Sequence, residues 1–156
     1  MMLLRDYTPV DQDAVFELNT HAADPRWRID PESPTYADLR DIPQAYQREG
    51  AFLVGEAAGA IVAMGGVRNI DEGIFELKRI RVDSAHRRRG YARLLILGLE
   101  ARTRTLDGIA IILDTTDEQE PAQRLYERLG YALTHTSVLE SGLRSFNLLH
   151  YRKELV

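Results

Sequence analysis

The chain of 156 residues is 44% apolar and 28% charged, a balance typical of one folded domain over residues 1–156 and not of a disordered chain. Its formal net charge of -4 disfavours binding to nucleic acid or to an anionic membrane surface. Cysteine is absent, which excludes disulfides, thiolate zinc sites and a cysteine nucleophile.

The first part of the chain predicts a strand, two helices and two further strands. Residues 2–7 form the first strand, and Thr8-Pro9 provide a cap and a first-turn proline for a helix that ends near Asn19. Residues 21–34 contain three prolines and predict a loop that could lie over a site. A second helix, broken near Pro43, and two strands follow at residues 33–48, 52–57 and 61–68.

The strand predicted at residues 74–82 has an unusual pattern. Strict alternation places Phe75, Leu77, Arg79 and Arg81 on one face and the residues between them on the other. Neither face is purely apolar, which is uncommon for a central strand. The remaining elements are a helix, a strand, a second helix and a terminal hairpin around Ser141-Gly142, at residues 93–105, 109–113, 120–129, 131–139 and 144–153.

The run Arg87-Arg88-Arg89-Gly90-Tyr91-Ala92 lies between a predicted strand and a predicted helix. A tight turn at that point leaves backbone N–H groups unpaired, and together with the helix dipole and the arginines they favour an anion such as pyrophosphate. Gly90 has no Cβ, so the backbone can approach a ligand closely. The alternatives are a solvated basic turn and a nucleic-acid patch, which would need more basic residues and interleaved aromatic residues.

Residues 76–82 and 87–92 resemble the acetyl-CoA site of the GNAT acetyltransferase superfamily. Arg87, Gly90 and Ala92 occupy the fixed positions of that family's Q/R-x-x-G-x-G/A turn, and residues 121–131 resemble its second signature, Leu-Tyr-Glu-x-Leu-Gly-Tyr/Phe. The two motifs lie about thirty residues apart and in the right structural order, which makes the combination specific. The resemblance implies a single-domain α/β fold with a mixed sheet of about six or seven strands and about four helices, in the order β-α-α-β-β-β-α-β-α-β-β.

The resemblance also implies acetyl-CoA as cosubstrate and indicates which residues bind it. The amides from Arg88 to Arg93 would hold the pyrophosphate, and the strand from Ile80 to Val82 would pair with the pantetheine arm. Many family members carry an asparagine before the second helix, and Gln119 is the nearest equivalent here. The cofactor-binding residues implied are Ile80, Arg81, Val82, Arg87, Arg88, Arg89, Gly90, Tyr91, Ala92, Arg93 and Gln119.

Two residues are candidates for catalysis by direct attack of a neutral amine on acetyl-CoA. The resemblance makes Tyr126 the general acid that protonates the departing thiolate, although the pattern alone equally allows a core tyrosine beside Leu125 and Leu129. Glu76 is a candidate general base, with a salt bridge to Lys78 or Arg79 as the alternative. A strand N–H near Ile80 could stabilise the oxyanion.

The acceptor is expected to be a small-molecule or peptide amine, and amino acids, polyamines, aminoglycosides and peptide N-termini all stay open. Acidic residues near the predicted lid are compatible with a cationic amine: Asp24, Asp30, Glu32 and Asp38. Trp27, also in the lid, could contact the acceptor or simply pack. A competing function is a non-catalytic module that binds an acyl-CoA, which would keep the basic turn without needing Glu76 or Tyr126.

Neither a metal site nor a membrane segment is expected. The four histidines, His21, His86, His135 and His150, lack metal-ligand spacing. Arg5 and Asp6 interrupt the apolar N-terminus, and the longest apolar stretch, residues 51–67, contains Glu56 and many small residues, so we expect a cytoplasmic protein. The last two strands could pair with a second copy of the chain, which allows a homodimer.

Overall fold

The computed structural model describes residues 1–22, 30–141 and 144–155, so Asp24, Trp27 and the predicted hairpin tip at Gly142 lie outside the described residues. The strands are β1 (Leu3–Asp6), β2 (Gly50–Ala57), β3 (Ala60–Asp71), β4 (Ile74–Val82), β5 (Ala110–Thr116), β6 (Ala132–Ser141) and β7 (Arg144–Glu154). The α-helices are α1 (Gln12–His21), α2 (Tyr91–Thr105) and α3 (Glu120–Arg128).

The seven strands form one mixed sheet in the order β1-β2-β3-β4-β5-β7-β6. Neighbouring strands are antiparallel except β4 and β5, which are parallel and are joined by a crossover through α2. Alternate residues of β2 enter two different cores, since Leu53 packs with Leu95 and Leu99 of α2 while Phe52 packs with residues that precede the strand. The predicted α/β class with helices flanking a mixed sheet is confirmed.

The predicted second helix is present as two short helical segments. A 3₁₀ helix, Pro34–Arg40, begins where the Ser33 hydroxyl accepts a hydrogen bond from the N–H of Thr35, and a π-helical turn, Pro43–Gln47, follows. Asp41 between them has a φ of −146°, and Pro43 has no N–H to continue a helical ladder. Leu39, Ile42 and Tyr46 are fully buried and fix both segments on the sheet: each has 0% exposure.

A β-bulge in β4 overturns the strict alternation predicted for residues 74–82. Lys78 lies opposite Gly66 and Arg81 opposite Met64, so Arg79 and Ile80 together face only Gly65. Arg79 has a φ of +63°, which reverses the faces after it. Ile80 therefore packs against the same core as Leu77, and the prediction that it shares a face with Glu76 is wrong.

Candidate active site

The sheet opens between its two parallel strands. The ladder that joins β4 to β5 ends where Glu76 lies opposite Ile112, although β4 continues to Val82 and β5 to Thr116. Beyond Glu76 and Ile112, β4 and β5 no longer form hydrogen bonds with each other. Each of the two strands therefore has an unpaired edge that faces the other. Such an edge offers N–H and C=O groups to a ligand with amides of its own. This opening includes Ile80, Arg81 and Val82, the strand residues predicted to pair with pantetheine.

A cleft of about 720 Å³ extends from this opening. Its walls come from β4, from the end of β5, from α3 and from the 3₁₀ helix, with β6 and β7 at one side. It brings together Glu76, Ile80, Arg81, Gln119 and Tyr126, five of the predicted site residues. The basic turn and Val82 are not among its lining residues.

Tyr126 presents a buried phenol to this cleft from α3. Its ring packs edge-on to Tyr131 at 5.9 Å and lies 6.3 Å from that of Tyr151, and its exposure is 9%. Burial raises the pKa of the Tyr126 phenol to about 12, against a smaller lowering by Arg81. The hydroxyl forms no hydrogen bond with any residue that the structure describes, so its proton is available to a group in the cleft.

Glu76 also lines the cleft, and its partner is Arg68 on β3. The Nε and Nη2 atoms of Arg68 both donate to Glu76 Oε1, at 3.1 and 3.0 Å. The two residues are direct cross-strand neighbours, so the alternative pairing with Lys78 or Arg79 is wrong. Oε2 accepts no hydrogen bond within the described part of the chain, which leaves one carboxylate oxygen for a proton from the cleft.

Arg79 and Asp38 form a pair that sequence reasoning did not find. Arg79 donates from Nε and Nη2 to the two oxygens of Asp38, at 3.0 and 2.8 Å, and also to the carbonyl of Thr35 at 2.6 Å. Although burial opposes it, hydrogen bonds from Arg79 and Tyr46 hold the pKa of the Asp38 carboxyl below its usual value. This carboxylate is therefore already compensated, and it does not serve as a free site for a cationic amine.

Arg81 is a poorly compensated cation in the same cleft. Its Nη1 donates to the carbonyl of the adjacent Ile80 at 3.2 Å, and its Nε is buried and has no partner among the described residues. Burial lowers the pKa of the Arg81 guanidinium, and the neighbouring Arg79 lowers it further. The Thr116 hydroxyl at the end of β5 is likewise buried, and no residue in the described part of the chain bonds to it. Two cleft residues thus have buried polar atoms that a ligand or water could satisfy.

The basic turn leads directly into α2, which begins at Tyr91 with Gly90 as its N-cap. Arg88 and Gly90 both have positive φ, +63° and +76°, and a Cβ at Gly90 would meet no atom within 4 Å. Glycine is therefore favoured there by backbone conformation, and the space beside it is open to a ligand. Arg87 donates to the carbonyl of Ala22 at 2.8 Å and ties the turn to the end of α1.

The other residues of the turn divide into exposed and packed side chains. Arg88, Arg89 and Arg93 are exposed, whereas the ring of Tyr91 is buried in the core and stacks on that of His86 at 6.3 Å. Ala92 is half-buried.

Gln119 precedes α3, and its Oε1 accepts a hydrogen bond from the Thr115 hydroxyl at 2.6 Å. The basic turn thus lies at the N-terminus of α2 and Gln119 at the N-terminus of α3. The free N–H groups at a helix N-terminus favour an anion or a carbonyl.

The model of the acetyltransferase (GNAT) family matches residues 13–131 of this chain. The chain belongs to the GNAT family. It is 33% identical to human N-acetyltransferase 8 over 107 residues, which are 64% of this chain and 47% of that protein. It is 32% identical to N-acetylaspartate synthetase of Xenopus tropicalis over 109 residues, 66% of this chain and 38% of that protein. The GNAT chain thus spans about half the length, or less, of these curated relatives.

Solved structures show the same fold. A GNAT-family acetyltransferase from Staphylococcus aureus Mu50 superposes with a TM-score of 0.86 at 20% identity, with both chains covered completely. The protein yncA from Salmonella typhimurium, solved with its cofactor acetyl-CoA, gives 0.80 at 18% identity and covers 100% of this chain and 95% of its own. The family and fold predicted from the two sequence motifs are confirmed.

Over residues 1–22, 30–141 and 144–155, no three His, Asp or Glu side chains are grouped to hold a metal ion. His135 and His150 stack on each other with ring centroids 4.1 Å apart on β6 and β7. In the described part of the chain, no helix is both long and apolar enough to span a bilayer.

Proposed function

We propose that this GNAT domain, residues 1–156, transfers the acetyl group of acetyl-CoA to the nitrogen of a primary amine. The main support for the proposal is that the unpaired edge of β4, Tyr126 and Glu76 all line one cleft. A binding module would need the edge and the turn, but it would not need a protonated phenol and a carboxylate with a free oxygen facing the same space.

The residues present fit acetyl-CoA, which would supply the acetyl group as an activated thioester. The N–H groups at the start of α2, from Arg88 to Arg93, would hold the pyrophosphate, with exposed arginines beside them. Ile80 to Val82 would hold the pantetheine amides along the open edge, and Gln119 would contact the arm from the start of α3. The bulge frees Arg79 and Ile80 from regular pairing with β3, which supports an oxyanion-binding N–H near Ile80.

The protein would take one proton from the attacking amine and give one proton to the departing thiolate. The N–C bond forms and the C–S bond then breaks, so the amine must lose a proton and the departing thiolate must gain one. Glu76 Oε2 would accept the amine proton, directly or through a water molecule, while Arg68 holds Oε1. The Tyr126 hydroxyl would donate its proton to the sulfur, and its raised pKa keeps it protonated at neutral pH.

The test is release of free CoA from acetyl-CoA with a panel of primary amines, measured with a thiol reagent. The chain has no cysteine, so the protein itself gives no background in such an assay. Amine-dependent release, with the N-acetylated product identified by mass spectrometry, would support the proposal. Tight acetyl-CoA binding without turnover of any amine would contradict it and would favour the non-catalytic acyl-CoA-binding module.

Changing Glu76 to Gln is expected to lower kcat/KM by roughly 100-fold, because the amide cannot accept a proton. The amide oxygen can still accept from Arg68, so the cross-strand contact is kept. Steady-state CoA release checks this, with Glu72→Gln as control because that exposed turn residue lies outside the cleft. A variant as active as the wild type would show that Glu76 has only the structural role of pairing with Arg68.

Changing Gly90 to Ala is expected to weaken acetyl-CoA binding about tenfold, since a Cβ at φ +76° costs roughly 1–2 kcal/mol and makes the turn shift its N–H groups. Gly59 is a matched control: its φ is +78°, it also has open space around it, and it lies at the β2–β3 turn. Calorimetric titration of both variants separates the effects. Equal acetyl-CoA affinity in Gly90→Ala and Gly59→Ala would remove the basic turn from the donor site.

A further inference from the structure

Among the described residues that line the cleft, the two half-buried charges that remain once the ion pairs are set aside are both positive. Glu76 is bound by Arg68, and Arg79 is bound by Asp38. Lys78 and Arg81 also line the cleft, and neither forms an ion pair with a described residue. The acidic lining residues outside these pairs are exposed to solvent, where their charges are screened: Asp30, Asp114 and Glu140.

Arg81 is half-buried and has few partners for its charge. A buried cation is costly unless an anion or several hydrogen bonds compensate it. Its Nε has no partner among the residues that the structure describes, and the one hydrogen bond that its Nη1 donates goes to the neighbouring carbonyl of Ile80. The charged groups that act on it are Arg79, which repels it, and Asp38, which Arg79 already binds through both oxygens.

Lys78 adds a second positive charge to the same strand. Burial lowers the pKa of the Lys78 ammonium, and the nearby Arg79 lowers it further, against smaller opposing effects of Glu76 and Asp38. Lys78 thus precedes the Arg79 bulge and Arg81 follows it, and both cations line the cleft. A solvated surface would tolerate them, whereas a half-enclosed cleft favours an incoming anion.

The acetyl donor does not supply that anion. Under the proposed function its phosphates lie at the turn from Arg88 to Arg93, which is not part of the cleft lining. The part of the donor that would run along β4 is a pantetheine arm ending in a thioester, and this arm carries amides and a hydroxyl but no charge. An anion that compensates Arg81 would therefore belong to the acceptor.

We propose that the acceptor is a free amino acid whose carboxylate binds Arg81, with Lys78 adding attraction. This inference rests on the proposed function and specifies its substrate class. A guanidinium fork matches a carboxylate in a paired geometry, and such charge-assisted bonds are among the strong ones in proteins. Polyamines and peptide N-termini offer no carboxylate next to the reacting amine, so the cleft disfavours them.

The experiment compares free amino acids with the same amino acids as α-carboxamides, using CoA release to obtain kcat and KM for each pair. The wild-type enzyme is expected to prefer the acid by roughly 10- to 100-fold in kcat/KM, mainly through a lower KM, because a charged hydrogen-bonded contact is lost in the amide. The amide has the less basic and therefore more readily deprotonated amine. A preference for the acid must then come from binding of the carboxylate.

The variant Arg81→Gln is expected to reduce the acid-to-amide ratio to near one. The ratio is internal to each variant, so a general loss of folding or of donor binding cancels from it. Arg124→Gln, which removes an exposed guanidinium paired with Glu120 on α3, is the control and should keep the wild-type ratio. Arg81→Lys should recover part of the preference, since it keeps the charge but not the fork.

The possible failures are distinguishable. Turnover of amides as readily as acids would overturn the carboxylate inference and leave the acetyltransfer proposal standing. A ratio that stays unchanged in Arg81→Gln would also overturn the inference, because the anchor would lie elsewhere. Absence of turnover with every acid, amide and simple amine, despite acetyl-CoA binding, would overturn both proposals together.

Discussion

Replacing Tyr126 with Phe is expected to lower kcat by about 100-fold or more, the range in which a positioned proton donor contributes. The substitution removes only the hydroxyl, and the ring keeps its contacts with Tyr131 and Tyr151. Acetyl-CoA affinity and the free energy of unfolding should therefore change little. Stopped-flow or steady-state CoA release with a saturating amine would measure the loss, and calorimetry would check the donor affinity.

The best control for this variant is Tyr151→Phe. Tyr151 belongs to the same aromatic group, but its hydroxyl donates to Glu127 at 3.2 Å and it does not line the cleft. We expect Tyr151→Phe to keep nearly full activity. If Tyr126→Phe also did so, Tyr126 would be a core tyrosine, which is the alternative that its helical neighbours Leu125 and Leu129 allow.

The pH dependence gives an independent check on the same residue. A general acid is effective below its pKa and loses its proton as the pH rises through that value. Because burial raises the pKa of Tyr126 to about 12, its ionisation should cause no fall in kcat below about pH 10 to 11. A descending limb near pH 9 that disappears in Tyr126→Phe would contradict this environment for the phenol.

The largest expected loss of stability comes from Lys153→Met. The Lys153 ammonium contacts both oxygens of Glu100 at 2.9 and 3.1 Å, and Glu100 lies on α2 with only 1% of its side chain exposed. Removing the ammonium leaves a buried carboxylate with a hydrogen bond from Tyr131 and a distant contact with Arg104. Breaking a buried pair in this way costs about 3–5 kcal/mol, a large part of the stability of a typical domain.

Urea unfolding would measure this effect, and a second variant separates its cause. The double change Lys153→Met with Glu100→Leu removes both charges, so it should be markedly more stable than Lys153→Met alone. Arg124→Gln, which breaks an exposed pair on α3, should change stability by less than about 1 kcal/mol. A single variant Lys153→Met as stable as the wild type would mean that Glu100 is compensated without Lys153.

The parts of the fold that follow local rules could be predicted from the sequence. Strand-like runs and the turn signals between them placed β2, β3 and β4 within a few residues of their observed bounds. The signature at residues 121–131, whose glycine ends a helix, did the same for α3. The two short motifs were sufficient for the family because each is a continuous run whose spacing directly encodes a turn or a helix end.

What could not be predicted depends on strand register and on distant contacts. A bulge at Arg79 is a mismatch between two strands, and nothing in the run from Ile74 to Val82 alone signals it. Asp38 and Arg79 lie 41 residues apart, and they meet only because the 3₁₀ helix folds back over β4. The same limit applies to Glu76, whose partner Arg68 is decided by the pairing of β3 with β4.

The opening between β4 and β5 also couples the stability of the fold to its ligand. Beyond Glu76 and Ile112, β4 and β5 form no hydrogen bonds with each other. A bound pantetheine arm would form hydrogen bonds with the strand edge at this point. Any ligand that binds only the native state stabilises it, by about 2.7 kcal/mol when present at 100 times its Kd. Under the proposed function, the resistance of this protein to unfolding would therefore rise and fall with the concentration of acetyl-CoA, independently of any turnover.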